Sequence, residues 1–300
     1  MTNSPKAGHA AWIAAMPGVF VLLWATGFIG AKLGLPYAEP FTFLTVRFVL
    51  TVAILLPVAL VMRAPWPNRR LAGHIAVSGV LIHTVYLGGV FASIHRGMPA
   101  GVSALIIGLQ PLVVAIAAGP LLGERVRPRQ WVGFALGLLG VALVLIDRLP
   151  EGMAAALAQI DARSLAWCLF GLAGMTAATL YQKRFCGGMD LRSGAVIQFA
   201  ASAVVAAPLA LLLGESGVIE WTGRFVFALS WLVIVLSVGA VSLLMLLIRM
   251  GEATRVSGLF YLVPPVTALI AFFLFGERLG MVALGGMALA VLGVAMVLRR

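Results

Sequence analysis

Acidic side chains are scarce in this chain: ten Asp and Glu stand among 300 residues, and none falls in the middle of an apolar run. Charged residues of either sign make up only 10%, against 62% apolar ones, which excludes a soluble domain because long stretches have no polar face to turn to water. The lack of a mid-run carboxylate also disfavours proton exchange through a buried Glu or Asp. Cysteine is almost missing. Cys168 and Cys186 have no metal-ligand spacing, so they imply neither a disulfide framework nor a zinc site and read as small apolar packing residues. No HExxH, P-loop or GxSxG pattern occurs, and no cofactor is expected. Gly214-Glu215-Ser216-Gly217 matches the GxSG string of intramembrane serine proteases, which need a histidine later in the chain. The histidines here, His9, His74, His83 and His95, all lie upstream.

What the chain does contain is apolar runs. Ten can be marked, at 11–32, 41–62, 71–94, 100–122, 130–147, 164–182, 192–213, 225–248, 256–275 and 280–298, each long enough to cross a hydrocarbon core about 30 Å thick. The first run is too long for a signal-peptide core and is kept as a true span. A net charge of +11 invites a nucleic-acid reading, but its placement argues otherwise. With ten spans, one face holds fourteen of the lysines and arginines: Lys6, Arg63, Arg69, Arg70, Arg125, Arg127, Arg129, Lys183, Arg184, Arg192, Arg249, Arg255, Arg299 and Arg300. The other face holds six, with seven of the ten acids, and Arg47 is left inside a span. Positive-inside logic then puts both termini in the cytoplasm of a multi-pass plasma-membrane protein (the inner membrane if bacterial), with no nucleic-acid partner.

The chain also says the same thing twice. Val102 to Leu145 reads VSALIIGLQPLVVAIAAGPLLGERVRPRQWVGFALGLLGVALVL, and Val256 to Leu298 reads VSGLFYLVPPVTALIAFFLFGERLGMVALGGMALAVLGVAMVL. Trp24 to Lys32 matches Met175 to Lys183, and Arg47-Phe48 with Pro57 matches Gln198-Phe199 with Pro208, all at an offset of 151 residues. Two five-helix units follow, 1–147 and 164–300, joined by a non-cytoplasmic linker over 148–163. A unit with an odd number of spans must sit inverted relative to its copy, and inverted repeats mark transporters that work by alternating access. Glu124 then falls inside and its counterpart Glu277 outside, in agreement with the charge count. Pro111, Pro264 and Pro265 near mid-span predict kinks beside a pore. Gly133 with Gly137, and Gly286 with Ala290, have the small-xxx-small spacing of a close helix contact and read as scaffold.

These features together resemble a known family. The opening LLWATGFIGAKLGL, the Arg47-Phe48 pair, Pro99-Ala-Gly-Val-Ser103, the paired Gly-Glu-Arg turns and the terminal LGV segments are similar to the EamA branch of the drug/metabolite transporter superfamily, from about Val19 to Val297. The resemblance implies an all-α integral membrane fold, ten helices as two inverted five-helix repeats around a central cavity, and export of small metabolites or drugs. Within the superfamily it points to the YddG type of aromatic amino acid exporter.

Candidate substrate contacts are the polar and aromatic residues at mid-span, because burying them in lipid is costly without a reason. His83 and Tyr86 share a face of the third span, where His83 either senses protons and binds a carboxylate or is a neutral interior histidine. Trp24 and Phe28 share a face of the first span, and Tyr261 beside Pro264 is expected to meet them across the cavity. Arg47 either binds free carbonyls at a helix break or attracts the carboxylate of an amino acid. Gln110 and Gln182 are further hydrogen-bonding candidates for a zwitterion. Trp167 and Trp231 read as interfacial or packing residues. The expectation is a small-molecule exporter of hydrophobic or aromatic amino acids in the lipid bilayer; the alternative is a multidrug or organic-cation exporter of the same fold. A channel lacks any ring of charge or filter-like repeat. No residue pattern assigns an oligomeric state.

Overall fold

The computed structural model describes residues 5–98, 100–147, 160–251, 253–275 and 280–299. They form ten helical rods. These are α1 (Pro5–Gly34), α2 (Pro40–Val61), α3 (Arg69–His95), α4 in two pieces (Ala100–Ile107 and Gln110–Leu122) and α5 (Pro128–Ile146). The second set is α6 (Ala162–Phe185), α7 (Leu191–Leu212), α8 (Gly223–Met250), α9 in three pieces (Ala253–Gly258, Leu259–Leu262 and Val263–Phe275) and α10 (Met281–Leu298). Among the described residues nine helices are long and apolar enough to cross a membrane, and α1 carries a shorter apolar stretch, Ala15–Gly27. Most of the 148–163 linker and the second Gly-Glu-Arg turn, Gly276 to Arg278, lie outside the described residues.

The packing of the rods repeats under exchange of the halves. Helix α2 pairs with its counterpart α7 and α5 with its counterpart α10, while α6 lies on α3 as α1 lies on α8, and α6 lies on α4 as α1 lies on α9. The counterparts run antiparallel. Gln130 at the start of α5 donates to the Val297 carbonyl at the end of α10, and Asp147 after α5 accepts from Gly280 N just before α10. Likewise Ser193 at the start of α7 donates to the Pro65 carbonyl beyond α2. Antiparallel mates about a two-fold axis are what an inverted repeat requires.

The α5–α10 seam is built on absent side chains. A Cβ placed on Gly133 would stand 2.6 Å from the Gly293 carbonyl, and one on Gly140 would stand 2.5 Å from both Ala290 N and the Gly286 carbonyl. Without a hydrophobic drive between helices in lipid, such close backbone approach supplies the van der Waals contact that holds them. The prolines act where expected in α4 and α9. Gly108 and Leu109 form the break immediately before Gln110 and Pro111, and in α9 the tighter turns of Leu259–Leu262 precede Pro264 and Pro265, whose rings remove backbone donors. Two features had no sequence signal: α3 widens to a π-helix over Val80–Leu87, and α8 does so over Leu232–Ala240, at nearly equivalent positions of the two halves.

Several of the described acids cap helices. Glu124, after α4, accepts from Ala253 N (2.8 Å), Thr254 N (3.1 Å) and Thr254 Oγ1 (2.7 Å) and so closes the first turn of α9 in the other half. Glu215, after α7, does the same for α2 through Phe41 N, Thr42 N and Thr42 Oγ1. Asp161 and Asp190 cap their own helices, α6 and α7. Each carboxylate meets unpaired N–H groups and the positive end of a helix dipole, the cheapest place for an anion at a membrane edge. Glu39 accepts from Ser216 N and Oγ; those bonds hold its carboxyl below the usual range and give the GxSG-like string a structural role. Glu124→Ala is expected to cost about 2 kcal/mol, seen as a lowered unfolding temperature in detergent, while Glu124→Gln, which keeps one acceptor, retains part of it.

Candidate functional site

The interior between the halves is lined by rings and a few buried polar groups. Trp24 on α1 tilts against Phe20 one turn earlier, with ring centroids 5.3 Å apart, and meets Phe260 of α9 edge-on at 5.3 Å and 81°. Phe20 meets Phe260 edge-on as well, at 5.4 Å and 88°, so three rings close on one another in favoured tilted and edge geometries. Trp24 lies close to Tyr86, which relates α1 to the π-helical part of α3.

On the same π-helical part, His83 stacks on Phe199 of α7 at 4.1 Å and 18° and lies 5.8 Å from the Phe48 ring of α2. It is 1% exposed and its Nε2 has no hydrogen-bond partner among the described residues. Arg47, 4% exposed, donates from Nε to Ser237 Oγ at 3.0 Å, and Tyr86 and His83 lie within its electrostatic reach. Ser237 belongs to the π-helical part of α8. Both widened segments thus deliver side chains to one place, and π-bulges recur at functional sites because they turn a residue out of the regular helix phase.

Two further polar nests flank this group. Gln198, the counterpart of Arg47, donates to Ser78 Oγ and Gln182 Oε1, both at 3.2 Å, and Ser78 also donates to Gln182 Oε1 at 3.2 Å. Gln110, at the break of α4, donates to Thr179 Oγ1 (3.3 Å) and Ser257 Oγ (3.2 Å), while its Oε1 has no partner among the described residues.

Of the residues singled out in the sequence, Trp24, Arg47, His83 and Tyr86 come together. Gln182 and Gln110 sit in the separate nests. Tyr261 does not face Trp24: it lies in the gap at Gly137 of α5, 6.4 Å from the Phe134 ring, and Phe260 takes the position facing α1. The side chain of Phe28 lies outside the described residues. Missed by sequence reasoning were Phe20, Phe260, Ser237 and Ser78. Ser237 stood 151 residues after Tyr86 and could have been found from the repeat; Phe260 carried no such signal.

The two clefts found are small and lie at the membrane edges. One of about 140 Å³ is bordered by Glu39, His95, Arg96 and Trp167 at one end of the rods, and one of about 100 Å³ by Lys183, Cys186, Met245 and Arg249 at the other.

An inverted pair of five-helix units around a buried aromatic and polar interior is the architecture of a secondary transporter. The EamA-like transporter family matches the chain twice, over residues 12–146 and 163–299, and the chain belongs to that family: it is a membrane transporter and not an enzyme. It is similar to an uncharacterized inner membrane transporter, YedA, of Escherichia coli K12, 26% identical over 90% of this chain and 86% of that one. It is also similar to an uncharacterized transporter, YvbV, of Bacillus subtilis, 23% identical over 99% and 93% of the two chains. A probable amino-acid metabolite efflux pump of Escherichia coli K12 is 29% identical over 43% of this chain and 41% of its own. A solved crystal structure superposes with a TM-score of 0.76 at 20% identity, covering 94% of this chain and 95% of that one, a likeness of fold alone.

Proposed function

We propose that the protein exports small metabolites, hydrophobic or aromatic amino acids first among them, by alternating access between two inverted five-helix units. The observation that carries this reading is the ring group between the halves, the buried Trp24, Phe20 and Tyr86 with the half-buried Phe260, which suits an apolar or aromatic side chain. The likeness to an amino-acid metabolite efflux pump supports it, and the uneven basic charge supports cytoplasmic termini in an inner membrane.

Movement follows from the contacts at each edge. Inner contacts between the halves include His74 Nδ1 with the Tyr181 hydroxyl at 2.8 Å, and outer ones include Ser216 Oγ with Glu39 at 2.7 Å and Trp231 Nε1 with Thr26 Oγ1 at 2.9 Å. Opening to one side breaks one set while the other holds. The test is counterflow in proteoliposomes holding the purified protein. Saturable exchange of labelled tryptophan or phenylalanine, competed by unlabelled methionine, is the expected result. Absence of amino acid flux together with uptake of methyl viologen overturns it in favour of organic-cation export.

A further inference from the structure

Arg47 is a buried cation that the fold does not neutralise. Among the described residues no carboxylate lies beside it; its neighbours are the Ser237 hydroxyl and the neutral rings of Tyr86 and His83. A guanidinium kept from water without a counter-ion is costly, so a chain retains one where something is gained. Helix packing is not that gain. The equivalent position in the other half is Gln198, whose neutral amide bridges α7 to α3 and α6 through Ser78 and Gln182. A neutral side chain therefore suffices for the bridging role.

We propose that Arg47 is the carboxylate receptor of the transported substrate, so that the site takes an apolar or aromatic body bearing one carboxylate, as an amino acid or as the corresponding 2-oxo acid. The inference rests on the transport reading above and names the chemistry that reading leaves open. Ser237 holds Nε, which leaves the two terminal nitrogens of the planar fork for bidentate contact with a carboxylate. Tyr86 is within electrostatic reach of the guanidinium and lies near Trp24, whose ring groups with Phe20 and Phe260. Among the described residues no acid lies beside Arg47 to pair with an ammonium, so an amino group adds no attraction there, and a cation lacking the carboxylate meets repulsion from Arg47.

The test is competition against labelled tryptophan binding by wild-type protein in detergent, using tryptophan, indole-3-pyruvate and tryptophan amide, with Arg47→Gln and Arg47→Met in parallel. Tryptophan and the 2-oxo acid are expected to compete alike and the amide at least about 30-fold more weakly. Arg47→Gln is expected to erase the difference between acid and amide. The ligand-free unfolding temperature of either variant should equal or exceed wild type, because an uncompensated charge is removed. An amide that competes as well as the acid in wild type, or a preference that survives Arg47→Gln, overturns the inference while leaving amino acid transport standing; so does a lowered unfolding temperature with the preference kept, which marks a packing role. A wild-type protein that binds methyl viologen and neither acid overturns the transport reading and this inference with it.

Discussion

Gly140→Leu is expected to keep α5 and α10 from seating together and to lower the unfolding temperature in detergent by roughly 10 °C or more, or to prevent recovery of monodisperse protein. A first side-chain carbon at Gly140 would already stand 2.5 Å from Ala290 N and the Gly286 carbonyl. Both are backbone atoms of a helix that cannot bend away without losing its own hydrogen bonds, so a branched side chain costs about 4 kcal/mol or more. Gly285 is the matched control: it lies on α10 next to Gly286, and a Cβ there meets nothing within 4 Å. Gly285→Leu is expected to leave stability unchanged or slightly raised through helix propensity. Equal losses at the two glycines would mean that the close seam is not what holds the pair.

Trp24→Ala carries the largest expected effect on transport. It deletes the ring contacts with Phe20 and Phe260, and it removes the ring wall of the proposed site. Losing two ring pairs together with a ring–substrate contact amounts to about 3 kcal/mol, so counterflow of tryptophan should fall roughly 100-fold. The cavity left behind also lowers stability by about 3 kcal/mol, which is why Trp24→Phe is measured beside it. Phe keeps a ring and most of the packing, and should hold a wild-type unfolding temperature with transport reduced but saturable. Wild-type KM and rate in a well-folded Trp24→Ala protein would remove Trp24 from the substrate path.

Much of the architecture was legible in the residues. Length and hydropathy suffice to mark spans, because a bilayer asks only for about 20 apolar residues in a row. The duplicated VS, Pro and Gly-Glu-Arg strings exposed the two halves. The small residues Gly133, Gly137, Gly286 and Ala290 gave away the α5–α10 seam, which Gly140 and Gly293 extend. Four candidate site residues, Trp24, Arg47, His83 and Tyr86, lie in one part of the interior, because polar and aromatic groups avoid lipid and converge inward.

Other features were not legible, for identifiable reasons. Glu124 looked like a repeat marker; its partners at Ala253 and Thr254 lie 129 and 130 residues away, and nothing local foretells that pairing. Tyr261, beside Pro264, was expected to meet Trp24, yet its neighbour Phe260 stands there. The Leu259–Leu262 turns run at about 120° per residue in place of about 100°, which rotates the face by about 80° over four residues. The widened segments of α3 and α8 shift phase in the opposite sense and bring Ser237 to Arg47.

By itself, then, the sequence determined the solvent this protein lives in and the doubling of its halves. Both follow from sums along the chain, of hydropathy and repeated residues. Only the tertiary structure decided which ring faces which, which acid caps which helix, and that Arg47 stands without a carboxylate beside it among the described residues. Those depend on rotation about helix axes, and a single tight or wide turn resets that angle for every residue after it.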